Sequence, residues 1–76
     1  MASVLDAGRQ HAGLTIAALW LACRGIGWTG TEDDLADVMS GDRVPTSGEY
    51  NEIAQAINDR FSDLGHDHPV PYAEEL

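Results

Sequence analysis

The chain has 76 residues, enough for one small domain, and at this length only about 60% of the surface exposed by the unfolded chain can be buried. Its 43% hydrophobic and 22% charged residues are typical of a globular protein rather than a disordered one. Thirteen acidic residues stand against four arginines and no lysine, a formal net charge of -9, which argues against nucleic acid and anionic membrane surfaces as partners.

The first predicted helix covers residues 3–12. Ser3 followed by Asp6 three positions later is typical of a helix start, because both side chains can accept hydrogen bonds from the free backbone N–H groups there. Gly8 and Gly13 are expected to weaken this segment, each by about 1 kcal/mol relative to alanine. We therefore expect the helix to break near Gly13.

The second predicted helix, residues 14–24, is the most apolar part of the chain, and Thr15 can act as its N-cap. Two neighbouring stripes of this helix are apolar: Ile16, Leu19, Trp20 and Cys23 on one, and Leu14, Ala17, Ala18 and Leu21 on the other. Such a helix lies at the centre of a core or against another protein, and few elements of this short chain can cover it. We therefore expect Leu14, Ala17 and Leu21 to form a face for a partner or for a second copy of the chain.

The apolar run inside this helix, residues 16–23, is eight residues long, whereas a bilayer span needs about 20. Cys23 is the single cysteine, so the chain has no internal disulfide and must fold on apolar packing, which is compatible with a reducing cytoplasm. On the apolar stripe its thiol is expected to be a small, inert hydrophobe. These features predict a cytoplasmic protein with no membrane partner.

Three glycines interrupt the helical pattern after this helix: Gly25, Gly27 and Gly30. Gly25 is expected to follow the helix directly, where a positive φ is favoured. Trp28, flanked by glycines, is the better of the two tryptophans as an exposed interface anchor, because tryptophan is common at the centre of protein interfaces. We therefore add Trp28 to the predicted partner face.

Two further helices are predicted over residues 32–40 and 47–64. Each begins with the spacing of a capping box, a threonine followed three positions later by an acid: Thr31 with Asp34, and Thr46 with Glu49. Each ends before a glycine: Gly41 and Gly65. Apolar residues recur at helical intervals in both: Leu35, Val38 and Met39 in the shorter helix, and Tyr50, Ile53, Ala54, Ile57, Phe61 and Leu64 in the longer one.

The acidic charge is concentrated in one part of the chain, since twelve of the thirteen acidic residues follow Thr31. The helix over residues 47–64 is expected to turn six polar side chains outward: Glu49, Glu52, Gln55, Asn58, Asp59 and Asp63. The simplest interpretation is a solvated surface. The sharper one is a partner-binding acidic face, formed by these residues without Asn58, that complements a basic protein surface. The helix order resembles a helix-turn-helix in outline, but phosphate would repel these acids, so DNA binding is not expected.

The last predicted segment is a tail over residues 66–76. Pro69 and Pro71 forbid a helix there and favour an extended path. Val70 and Tyr72, between and after the prolines, are expected to pack across the helices if the chain runs flat.

Metal binding and catalysis have weak support. His66 and His68 would share one side of an extended segment and could chelate a metal, but zinc needs further ligands, which only His11, Cys23 or distant acids could provide. The favoured interpretation of the pair is helix-end polarity. No nucleophile motif, phosphate-binding loop or nucleotide fingerprint is present, so we expect no catalytic residue, no cofactor and no metal.

The sequence therefore predicts a single all-α domain over residues 1–76, a small three-helix bundle with a four-helix bundle as the alternative, and an extended proline-containing tail. The predicted function is a non-enzymatic, intracellular interaction or regulatory module that binds a protein with a basic surface through the acidic helical face, the apolar helix or both, with a homodimer also open. Two alternatives remain: an acidic inhibitor of the antitoxin or nucleic-acid-mimicking type that blocks a basic groove, and a small metal-binding protein that uses His66 and His68.

Overall fold

The computed structural model describes residues 4–65 and 70–72, and these residues form four α-helices joined by turns and loops, without a strand. The helices are α1 (Val4–His11), α2 (Ile16–Ile26), α3 (Glu32–Ser40) and α4 (Ser47–Asp63). The predicted all-α fold is confirmed, and residues 4–11 form a helix of their own, so the described part of the chain contains four helices rather than three.

Three of the helix starts are set by threonines. The side-chain oxygens of Thr15, Thr31 and Thr46 each accept a hydrogen bond of 3.1 Å from the backbone N–H three residues later. At α3 and α4 an acid completes the capping box by accepting a hydrogen bond from the threonine's own backbone N–H. The starts of α3 and α4 agree with the predictions, and Thr15 caps α2 as expected, although α2 begins at Ile16 rather than at residue 14. Ser3, the predicted start of the first helix, lies outside the described residues. Caps can be predicted in this way because they involve only residues close in sequence.

The end of α2 differs from the prediction. The helix continues through Gly25 to Ile26, which packs against the core, and it ends at Gly27, whose φ is 138°. The backbone N–H of Gly27 donates to the carbonyl oxygen of Cys23. The expectation that Gly25 ends the helix is wrong, because packing of the Ile26 side chain against the core favours two further helical residues.

The core lies where α2 packs against α4 and α3, while α1 packs against α3 and α4. The side chains with no exposed surface are Leu19, Cys23, Leu35, Ile53, Ala54 and Ile57. Trp28 joins this core and is only 6% exposed, so the expectation that it would be exposed is wrong. A Cβ on Gly30 would lie 2.9 Å from the Trp28 Nε1 atom, and the missing side chain at Gly30 therefore lets the loop fold the indole inward.

The described part of the tail packs against α1 and α4. Asn58, predicted to face outward, is 4% exposed, and its side-chain amide donates to the Val70 carbonyl oxygen (2.9 Å) and accepts from the Val70 N–H (3.1 Å). Val70 is buried and Tyr72 is half-buried against the core, as predicted. A Cβ on Gly8 would lie only 2.7 Å from the Val70 Cγ2 atom, so this glycine makes room for the tail.

Candidate functional site

The outward side of α2 is apolar and uncovered. We define the α2 face as the exposed residues on this side of the helix: Ala17, Ala18, Leu21, Ala22 and Gly25. Leu21, at the centre of the face, is 61% exposed. Of the predicted partner face, Ala17 and Leu21 are therefore exposed, Leu14 is half-buried, and Trp28 lies in the core.

The edge of the α2 face is formed by Trp20 and Arg24, which lie one turn from Ala17 and Leu21 on the helix surface. The Arg24 guanidinium carbon lies 4.9 Å from the centre of the Trp20 ring, a cation–π contact. Arg24 is also the single charged residue of α2, so the α2 face itself carries no charge.

A surface groove adjoins this edge, between the second half of α2 and the start of α3. The groove is open to solvent and has a volume of about 800 Å³. Its lining residues are Trp20, Arg24, Trp28, Thr29, Gly30, Thr31, Glu32 and Asp33. The Trp20 indole N–H donates to the Gly30 carbonyl oxygen at 3.1 Å, which ties the groove floor to α2.

The predicted acidic face of α4 is only partly available. Gln55, Asp59 and Asp63 are exposed, as predicted. Glu49 is half-buried, and its carboxylate accepts hydrogen bonds from the Thr46 backbone N–H (2.9 Å) and from Arg43 (2.7 Å). The backbone hydrogen bond from Thr46, assisted by the Arg43 charge, holds the pKa of Glu49 below its ordinary value. The Glu49 carboxylate therefore stabilises the start of α4 and is only partly available to a partner.

Glu52 lies on the inner edge of α4 rather than on its outer face. Its Oε2 atom is buried without a hydrogen-bond partner among the described residues, and lies 3.8 Å from the position of a Cβ on Gly27. Burial raises the pKa of the Cys23 thiol to about 12, with a further contribution from the nearby Glu52 carboxylate. The thiol is therefore protonated at neutral pH and is a poor nucleophile.

Glu52→Gln is expected to raise the free energy of unfolding by about 1 kcal/mol, because a buried carboxylate oxygen without a donor costs more than a neutral amide. Chemical denaturation followed by circular dichroism measures this change. Asp59→Asn is the matched control, since it removes the same charge at an exposed position of the same helix and should change stability by less than about 0.5 kcal/mol. A loss of stability in Glu52→Gln would show that the carboxylate makes a favourable contact.

No group of three or more His, Cys, Asp or Glu residues with metal-binding geometry occurs among residues 4–65 and 70–72. His66 and His68, the predicted chelating pair, lie outside the described residues. None of the helices over the described ranges has the length and apolar character needed to cross a bilayer. Comparisons with protein-family models, with curated proteins and with solved structures find no match to this chain.

Sequence reasoning missed the groove, although part of the signal was present. Trp20 and Arg24 are four positions apart within a predicted helix, a spacing that places a guanidinium over an indole. In the sequence, Glu32 and Asp33 indicate only acids at a helix start, where the positive end of the helix dipole favours them. Their position beside Trp20 depends on how α3 folds back against α2, which the local pattern does not contain.

Proposed function

We propose that this protein is a non-enzymatic interaction module that binds a protein partner through the α2 face. The observation that carries the proposal is the 61% exposure of Leu21 on the most apolar helix of the chain. A contiguous apolar patch on the surface of a small protein is often an interaction site, whereas single scattered apolar residues are ordinary. Burial of a leucine side chain contributes about 1.5–3 kcal/mol, and the small residues around Leu21 leave room for a partner to approach closely.

A regulatory or accessory role fits this kind of surface. The α2 face is a convex helix surface beside an open groove. Such a surface suits contact with a protein better than it suits binding of a small substrate, which usually takes place in an enclosed pocket. The intracellular location stays a prediction from the single cysteine, which is buried.

Leu21→Asp is expected to abolish capture of the partner from native cells and to lower the melting temperature only slightly, because the side chain is exposed in the free protein and the cost is only the lower helix propensity of aspartate. Val44→Asp is the matched control, since Val44 is 88% exposed in the loop after α3 and lies outside the α2 face. An affinity pull-down with the wild-type chain and both variants as baits makes the comparison. Partners that bind Leu21→Asp as well as Val44→Asp would contradict the proposal.

The partner is either a different protein or a second copy of the chain, and light scattering separates these cases. A homodimer requires a mass near twice 8.2 kDa that Leu21→Asp reduces to the monomer value. A monomer at high protein concentration leaves a different protein as the partner.

The second candidate function is that of an acidic inhibitor that occupies a basic groove of its target. The exposure of Asp59 and Asp63 on α4, and of Glu32, Asp33 and Asp37 on α3, supports it. This candidate is favoured if the captured protein is retained by Leu21→Asp and is released as the salt concentration rises.

A further inference from the structure

We infer that the groove between α2 and α3 binds a basic segment of the partner and places an arginine of that segment between the Trp20 ring and the carboxylates of Glu32 and Asp33. This inference rests on the proposed function, because the groove borders the α2 face and extends it. It assigns the chemistry of the partner: an arginine-bearing, partly apolar stretch of protein.

The groove already accommodates a guanidinium group. Arg24 holds its guanidinium carbon 4.9 Å from the Trp20 ring centre, within the distance at which a cation is attracted to an indole face. Arg24 and Trp20 both line the groove, so the groove presents an aromatic surface that suits a planar cation.

The carboxylates of Glu32 and Asp33 are available to a cation from outside. Both residues are exposed and line the groove, and neither side chain makes a hydrogen bond or ion pair with another described residue. Asp34, the next acid, differs because it accepts the Thr31 backbone N–H in the capping box. The helix dipole explains why acids occur at the start of α3. It does not explain why these acids lie beside Trp20, Trp28 and Arg24.

Two arginines of the described chain are paired elsewhere, whereas Arg24 lines the groove itself and stacks on Trp20. Arg9 is paired with Asp6 at 2.8 Å, and Arg43 with Glu49 at 2.7 Å. Among the described residues Arg24 forms no ion pair with Glu32 or Asp33, so a cation that neutralises these two acids is expected to come from a partner. The strongly negative net charge of the chain favours such a partner at long range as well.

The groove floor is ordered before any ligand binds. Both indoles lie against Gly30: Trp20 donates its N–H to the Gly30 carbonyl oxygen, and the Trp28 Nε1 atom lies where a Gly30 side chain would be. The Trp28 N–H is also buried in this floor and has no acceptor among the described residues. A preformed floor lowers the entropy cost of binding.

The test uses the intrinsic fluorescence of the protein, because its two tryptophans both line this groove. The probe is a short amidated peptide of alternating arginine and leucine, and a glutamate–leucine peptide of the same length is the control. The arginine peptide is expected to change the emission, and its affinity is expected to fall about tenfold between low and high ionic strength. The glutamate peptide is expected to have no effect.

The double variant Glu32→Gln/Asp33→Asn is expected to weaken binding of the arginine peptide about tenfold. The variant Asp59→Asn/Asp63→Asn removes the same charge from α4 and should change the affinity by less than about twofold. Calorimetry provides a second measure of binding that does not depend on fluorescence. Equal weakening in both double variants, equal binding of the glutamate peptide, or no binding by either method would overturn the inference.

The same variants distinguish failure of this inference from failure of the proposed function. A cellular partner that is lost with Leu21→Asp but retained with Glu32→Gln/Asp33→Asn would support the α2 face and overturn the groove as the site of recognition. A partner that every variant retains would overturn both.

Discussion

Asn58→Leu is expected to lower the free energy of unfolding by about 2–4 kcal/mol. The substitution keeps a side chain of similar size but leaves the Val70 N–H and carbonyl oxygen buried without their partner, or releases the tail into water. Helix propensity favours leucine over asparagine and offsets a few tenths of a kcal/mol of this loss. Urea denaturation followed by circular dichroism gives the value, which is a large part of the roughly 5–10 kcal/mol expected for a domain of this size.

Gln55→Leu is the control for Asn58→Leu. Gln55 is exposed on the same helix, so the same new side chain is added where no buried hydrogen bond is lost. Its stability is expected to remain within about 0.5 kcal/mol of the wild-type value. Equal stability of the two variants would show that docking of the tail does not depend on the Asn58 amide.

Gly8→Ala and Gly25→Ala are expected to change stability in opposite directions, although both glycines lie inside helices. At Gly8 the new methyl group would lie 2.7 Å from Val70 and 3.4 Å from Ile57, and this overpacking is expected to outweigh the gain in helix propensity, with a net loss of about 1–2 kcal/mol. At Gly25 no atom lies within 4 Å of the new methyl group, so alanine is expected to stabilise the chain by about 0.5–1 kcal/mol. Thermal and urea denaturation of both variants test the two signs.

A double variant connects this effect to the tail. In the Asn58→Leu background the tail is already weakened, so Gly8→Ala is expected to cost less than it does in the wild-type chain. A stabilising Gly8→Ala in the wild-type background would contradict the close packing of Val70 against α1.

Docking of Val70 also bears on the proposed function. Val70 packs against α1 at Gly8 and against α4 at Asn58, and Leu21 on the α2 face stays 61% exposed. The exposed Leu21 is therefore not the docking site of Val70. Protein contacts through α2 and docking of Val70 are expected to be separable by mutation.

The helix starts and the overall class of fold could be predicted from the sequence with good agreement. A threonine cap depends on an N–H three residues away, and an inward stripe such as Leu35, Val38 and Met39 depends on spacing within one helix. The all-α class and the threonine caps of α2, α3 and α4 follow from such local terms. The position at which α2 ends was missed by two residues because two glycines compete for it, and packing of Ile26 decides between them.

Local sequence patterns determined where the helices of this protein lie. Only the packing of distant segments decided which residues at the boundaries of the helix faces are buried and which are exposed. The sequence predicts that Asn58 and Glu52 face outward. Asn58 is instead buried by its hydrogen bonds with Val70, and Glu52 lies beside Gly27 at the end of α2. Leu21 reads as part of an all-round apolar helix, yet α3 and α4 cover only the opposite side of that helix. A residue at the boundary of a helix face is equally compatible with burial and exposure, and the neighbour that settles it comes from another part of the chain.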